Sequence, residues 1–196
     1  MTTILHIDSS VFGEQGKSSQ LAAEFVRRHT EANVIHHDLD KHPIPHLSGA
    51  RFSAFTTPAE KRSAEQREVA AFSDQLIQEL RDADTVVLGM PLYNLGVPST
   101  FKAWIDHVAR AGETFRYTEN GPKGLLDNKK VLVFAARGGQ YQGTELDTQS
   151  SYLRHIFGLM GITDIEFIYA EGLNMGDATA SDALDAAREA IAAKAA

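Results

Sequence analysis

The segment Thr85-Val86-Val87-Leu88-Gly89-Met90-Pro91-Leu92-Tyr93-Asn94-Leu95-Gly96-Val97-Pro98, continued by Ser99-Thr100-Phe101-Lys102-Ala103-Trp104-Ile105, decides the fold. It opens on Thr85–Gly89, an apolar run without polar alternation, the pattern of a strand buried on both faces. It closes on Pro98, a residue favoured at helix starts because its missing N–H has no partner to lose there. Phe101, Trp104, Ile105 and Val108 then recur at i, i+3, i+4 and i+7, one apolar helix face that reads as core or subunit contact. A doubly buried strand passing through a short loop into an amphipathic helix is half of a βαβ unit. A parallel sheet covered by helices is therefore expected.

The pattern repeats outward. Ile4–Ile7 reads as a strand, and Leu21, Ala22, Phe25 and Val26 follow at helical spacing. Asn33–His37 is a second strand, and the Pro-, Gly- and Ser-rich stretch Asp40–Pro58 reads as a loop. A long helix is expected from Pro58 to Arg81, with Val69, Phe72, Leu76 and Leu80 on one face. Downstream, Thr114–Tyr117 and the Asn120-Gly121 turn suggest a hairpin. Lys130–Ala136 is a strand, Leu153, Ile156, Phe157 and Met160 mark a helix, and Ile165–Ala170 is the last strand. The alanine-rich end is a helix with Leu184, Ala187 and Ile191 inward. The expectation is an α/β fold in one domain, residues 1–196: a doubly wound five-stranded parallel sheet of order 2-1-3-4-5, with helices on both faces.

Composition narrows the function. The 19 basic and 26 acidic side chains of the 196 residues leave a formal net charge of −7, which argues against nucleic acid as a partner. The absence of cysteine removes disulfides, thiolate metal sites and cysteine nucleophiles together, so redox chemistry must come from a cofactor. No apolar run reaches the ~18 residues of a membrane span. Met1–Asp8 lacks a basic leader and is expected to be a first strand, so a cytoplasmic protein is expected.

In a doubly wound sheet, ligands bind beyond the carboxyl ends of the strands where the order reverses. Three loops reach that place. Asp8–Ser18 carries hydroxyls, Gly13, Gly16 and Lys17 ahead of a helix, where free N–H groups suit a phosphate; Ser18 reads equally as a helix cap. Met90–Pro98 is apolar, bracketed by prolines, and suits a flat ring or serves as a plain connection. Ala136–Gly143 has paired glycines, with Arg137 commonly a solvated charge in such a place. Gly16-Lys17-Ser18 is also the tail of a nucleotide-triphosphate loop, but the glycine that motif needs is Val11 here. His36, His37, His42 and His46 cluster with Asp38 and Asp40; strand alternation sends the first two to opposite faces, so no metal is expected.

Pro91-Leu92-Tyr93-Asn94 with Pro98–Asp106 resembles the signature of flavodoxin-like FMN quinone reductases. Arg110-Ala111-Gly112-Glu113-Thr114-Phe115-Arg116-Tyr117-Thr118-Glu119-Asn120-Gly121-Pro122, Arg137-Gly138-Gly139 and Gly161-Ile162-Thr163-Asp164 narrow it to the FMN-dependent NADH-azoreductases, also called FMN-dependent NADH:quinone oxidoreductases. The resemblance implies a flavodoxin-like homodimer with one tightly bound FMN per subunit and NADH as electron donor. It implies ping-pong two-electron reduction of quinones and cleavage of aromatic azo compounds to amines. Ser10, Gly16, Lys17 and Ser18 would hold the phosphate. Leu92, Tyr93, Asn94 and Leu95 would support the ring, and Ala136, Arg137, Gly138 and Gly139 would meet its pyrimidine edge. Gly16, Leu95 and Ala136 stand where relatives often carry polar, aromatic or hydroxyl side chains. Asn94 and Tyr117 are the substrate-orienting candidates. A non-enzymatic flavodoxin-like electron carrier is the competing reading, and the hairpin argues for the enzyme.

Overall fold

The computed structural model describes residues 2–194. Its elements, in chain order, are β1 (Thr3–Asp8), α1 (Lys17–Arg27), β2 (Asn33–Asp38), α2 (Gly49–Thr56), α3 (Ala64–Asp82), β3 (Thr85–Pro91) and α4 (Ser99–Val108). There follow β4 (Phe115–Thr118), β5 (Gly121–Gly124), β6 (Lys130–Ala136), α5 (Thr148–Met160), β7 (Asp164–Ala170) and α6 (Asp177–Lys194). The five-stranded sheet has the order β2-β1-β3-β6-β7, parallel throughout, which is the expected 2-1-3-4-5 arrangement.

Side-chain alternation along the strands builds two cores, one on each face. Ile4, Val87, Leu132, Phe134 and Ile168 pack under Leu21, Ala22 and Phe25 of α1 and Ala187 and Ile191 of α6. Leu5, Ile7, Val86, Leu88, Val131 and Val133 pack under Leu76 and Leu80 of α3, Phe101 and Trp104 of α4, and Leu153 and Phe157 of α5. β1, β3 and β6 are buried along almost their whole length, as their continuous apolar runs require. β2 is an edge strand and mostly exposed, so its sequence is more polar.

Two expectations are corrected. The stretch read as a loop from Asp40 to Pro58 contains α2, capped by Ser48, whose side chain accepts from Arg51 N. Only Ala54 of that helix is buried, so it carries almost no apolar periodicity to read. The long helix begins at Ala64 rather than Pro58, because Ser63 and Gln66 form a reciprocal capping box there. Residues 59–61 form a separate 3-10 turn. The hairpin is present as β4 and β5, paired antiparallel.

Helices α3 and α4 are joined by a buried polar contact. Ser73 Oγ donates to His107 O at 2.5 Å and accepts from Arg110 Nη1 at 2.8 Å, and the same nitrogen reaches Asp74 Oδ1 at 2.6 Å. His107 is fully buried, with Nδ1 2.8 Å from Ala103 O. Burial pushes its pKa down, and the nearby Arg51 and Arg110 push the same way. The folded state therefore holds His107 neutral at pH values where the unfolded chain protonates it. Its contribution is complete above the unfolded pKa and is lost as pH falls toward the folded one. The unfolding free energy of His107→Gln, measured by urea titration, is expected to fall less steeply between pH 7 and pH 5 than that of wild type.

Candidate functional site

The three loops converge on a cleft of about 320 Å³ at the carboxyl ends of β1, β3 and β6. Ser10, Phe12, Gly16, Lys17 and Ser18 line it from the first loop. Pro91, Leu92 and Tyr93 line it from the second, and Ala136, Arg137 and Gly138 from the third.

The first loop ends where α1 starts. Gly16 is the N-cap residue, and no side chain caps the helix. Its first N–H groups therefore keep the unmet donor capacity and partial positive charge of a helix start. The capping reading of Ser18 fails, since Ser18 lies inside the first turn. Its Oγ is buried without a hydrogen-bond partner. A Cβ at Gly16 would lie 2.2 Å from Ser10 Oγ, so only glycine lets the turn close over Ser10. Uncapped N–H groups, an orphaned hydroxyl and a side chain-free turn form a cradle that fits the phosphate of FMN. Lys17 is exposed, so its ammonium lies at the rim.

The second loop turns back on itself. Tyr93 N donates to Gly96 O at 3.2 Å and Gly96 N to Tyr93 O at 2.9 Å. Asn94 and Leu95 occupy the tip with φ of 50° and 61°, a left-handed conformation that asparagine tolerates and leucine rarely adopts. Leucine at such a position marks a locally strained tip held by its surroundings. Those surroundings are the start of α5: Thr148 Oγ1 donates to Leu95 O, and Gln149 Nε2 donates to Pro91 O at 2.8 Å. Asn94 and Leu95 are exposed and lie outside the cleft lining. The Tyr93 hydroxyl lies 3.3 Å from both Ser10 Oγ and Val11 N, tying the second loop to the first.

The third loop is held by a buried cation. Arg137 is 1% exposed, against the expectation of a solvated charge. Its Nη1 meets Glu171 Oε1 at 3.0 Å, and its Nη2 meets Asp147 Oδ1 at 2.8 Å and Ser150 Oγ at 3.0 Å. The guanidinium also lies over the Tyr169 ring, 4.9 Å from its centroid. Burial alone would raise the pKa of Asp147, but hydrogen bonds from Arg137 and from Ser150 N outweigh it and hold the carboxyl low. With its side chain committed inward, its N–H donated to Ala170 O and its carbonyl accepting from Leu173 N, Arg137 shapes the wall of the cleft.

A fourth segment, absent from the sequence reading, completes the wall. After β7 the chain folds over the third loop: Gly172 N donates to Gly139 O, Leu173 N to Arg137 O and Asn174 N to Gly138 O, at 2.9–3.1 Å. Leu173, Asn174, Ala180 and Leu184 thereby line the cleft. Gly172 and Gly176, both at positive φ, were the available signal of a shaped turn there. Gly139 and Tyr117 lie outside the lining, and Tyr117 is 76% exposed on β4.

Known proteins match this chain along its whole length. The model of the family described as "Flavodoxin-like fold" matches residues 2–195. An FMN-dependent NADH:quinone oxidoreductase of Alcanivorax borkumensis is 55% identical over 194 residues, 97% of this chain and 98% of its own. One from Cellvibrio japonicus is 55% identical over 180 residues, 90% of each chain. The chain belongs to the FMN-dependent NADH:quinone oxidoreductase family. Among solved structures, the azoreductase of Bacillus anthracis strain Sterne superposes with a TM-score of 0.89 at 30% identity, covering 100% of this chain and 99% of that one. An FMN-dependent NADH-azoreductase from the Ames Ancestor strain, in complex with FMN, gives 0.88 at 25% identity with full coverage of both chains.

In this member of the oxidoreductase family, the wall of the cleft depends on Arg137 for its shape. Replacing Arg137 with leucine leaves the nearly buried carboxylates of Asp147 and Glu171, 7% and 14% exposed, without their counter-charge. Removing one partner of such a buried arrangement costs about 3–5 kcal/mol. Arg137→Leu is expected to lose stability of that order, read as a lower urea midpoint with an unchanged slope.

Proposed function

We infer that this chain is an FMN-dependent NADH:quinone oxidoreductase with azoreductase activity. The observation that carries the reading is the uncapped start of α1 with the buried, unpartnered Ser18 Oγ, set in a cleft of a chain that matches these enzymes end to end. When bound, FMN supplies the chemistry, accepting hydride from NADH and passing two electrons to a quinone or azo acceptor.

The chain's own residues bind and orient. The first N–H groups of α1 and the hydroxyls of Ser10 and Ser18 hold the phosphate, with Gly16 and Lys17 completing the turn. Leu92 and Tyr93 form one wall for the ring, and Asn94 and Leu95 stand at its outer edge. Ala136, Gly138, Gly139 and the backbone of Arg137 face the pyrimidine side. Peptide N–H groups fixed by the surrounding hydrogen bonds meet negative charge on that side without reorganising. Asn94 and Tyr117 orient the acceptor. Tyr117 stands exposed and outside the cleft of its own chain, which supports a homodimer in which it lines the partner's pocket. The chain is read as a single FMN-binding domain over residues 1–196. Among the described residues no helix is long and apolar enough to cross a membrane, and NADH as donor fits the cytoplasm.

The deciding experiment is the visible spectrum of the protein supplied with FMN, before and after NADH is added without oxygen. A protein-bound flavin band that NADH bleaches is the expected result. A band that NADH leaves unchanged would instead support an electron carrier, and no band would remove the flavin reading altogether. Ser18→Ala is expected to weaken FMN binding about tenfold, the worth of a hydrogen bond to a charged group. Turnover at saturating FMN should stay close to wild type, and equal FMN affinity in both proteins would exclude Ser18 from the phosphate site.

A further inference from the structure

A second cavity, of about 470 Å³, lies between α1 and the β1–β2 edge of the sheet. It shares no lining residue with the flavin cleft. His6 and Asp8 of β1 and His36 of β2 face it, with Glu14 at its side. Strand alternation puts His6 and Asp8 on one face, and the parallel register sets His36 beside His6. The two imidazole rings stack with centroids 4.4 Å apart and planes 17° from parallel. His36 Nε2 lies 2.9 Å from Asp8 Oδ2, and His6 Nε2 lies 3.3 Å from Asp8 Oδ1. One donor atom from each of the three residues lies within 4.8 Å of the others.

Hydrogen bonding accounts for only part of this cluster, through His36 Nε2 and Asp8 Oδ2. His6 and Asp8 are each only 4% exposed, yet His6 Nε2 and Asp8 Oδ1 are buried atoms that face each other at 3.3 Å without hydrogen-bond geometry. Polar atoms left undersatisfied in a buried place are costly. A cation seated between them would satisfy both. We propose that His6, Asp8 and His36 form a binding site for a divalent transition-metal ion, with Zn²⁺ the best match.

The donor set selects the ion. Two imidazole nitrogens with one carboxylate suit zinc and its neighbours, whereas magnesium and calcium prefer all-oxygen shells. Donors at ordinary zinc distances sit about 3.3 Å apart around a tetrahedron, and with all three donor atoms within 4.8 Å of one another only small side-chain shifts bring them onto one ion. The cavity leaves a fourth position for water. The sequence reading grouped His36 with its chain neighbours His37, His42 and His46. The structure separates them: His37 Nε2 pairs with Glu79 at 2.6 Å, and His42 and His46 are exposed. The partners of His36 come instead from β1, 28 and 30 residues earlier in the sequence.

The test uses the full-length, FMN-loaded protein after chelator treatment, dialysed against Zn²⁺ and analysed for bound metal by mass spectrometry. The expected result is one Zn²⁺ per chain. His36→Gln alters an edge-strand side chain that is 43% exposed, so the fold has little to lose there. It should weaken the binding by more than about tenfold, since even an outer partner of a metal ligand is worth that much. His37→Gln should leave the affinity unchanged. Flavin absorbance of the same samples reports that the variants are folded. No stoichiometric Zn²⁺ in the wild type, or equal affinity in wild type and His36→Gln, would overturn the site.

Discussion

Helix α1 meets β3 at Gly89 with no room for a side chain between them. A Cβ at Gly89 would lie 2.3 Å from Asp8 Oδ1 and 3.2–3.3 Å from Ser19 Cα and N. The first turn of the helix is thereby pressed onto the sheet at the point where the strand order reverses. Its free N–H groups face the cleft because of that contact, and Ser18 is carried inward with them. Ser9 reinforces the junction: its N and Oγ both donate to Gly89 O, at 3.2 and 2.8 Å. A larger residue at 89 would lift α1 from β3 and separate the start of α1 from the second loop across the cleft. One missing side chain thus couples the packing of the sheet to the geometry of the cleft.

The opposite wall uses the reverse device. There a large cation is buried so that irregular chain can be held in one shape. Arg137 bridges the end of β7 at Glu171 and the start of α5 at Asp147, and α5 in turn grips the second loop through Thr148 and Gln149. Glu171 also accepts from Tyr141 N and Gln142 N, at 3.0 Å from each, which closes the third loop on the fourth segment. The cleft is walled largely by loops, yet each loop is tied to a helix start or a strand end. Such a wall presents peptide dipoles already oriented, which is what charge developing on a bound ring requires.

What the sequence disclosed follows the range of each interaction. The doubly wound order and the three converging loops came from runs of four to seven apolar residues and from helical spacing, both local patterns. That Ser18 and Tyr93 line one cleft came from loop composition combined with the switch-point rule. The misses at the site are long-range. Nothing local to Arg137 announces acids 10 and 34 residues away. Leu173 and Asn174 reach the cleft only because β6 and β7 are neighbours with matched ends. α2 was missed for a different reason: a helix with one buried residue leaves no periodic trace.

The first loop also carries an electrostatic problem that its neighbours resolve. Asp8 is a buried acid close to the first turn of α1, so the free N–H groups of that turn have an anionic neighbour. Burial pushes the Asp8 carboxyl up, but the hydrogen bond from His36 and the nearby His6 imidazole outweigh it and hold the carboxyl below its ordinary range. The bond to Asp8 in turn raises His36 against the opposing effect of its own burial. A proton is thus favoured on the β2 side of Asp8, at His36, which does not line the cleft. That leaves the helix dipole to the cleft instead of spending it on the carboxylate. An asparagine at position 8 would remove the charge and weaken the bond to His36, while the parallel backbone ladder would still hold β2 against β1. The buried acid is balanced by a side chain of the edge strand, His36, rather than by the start of α1.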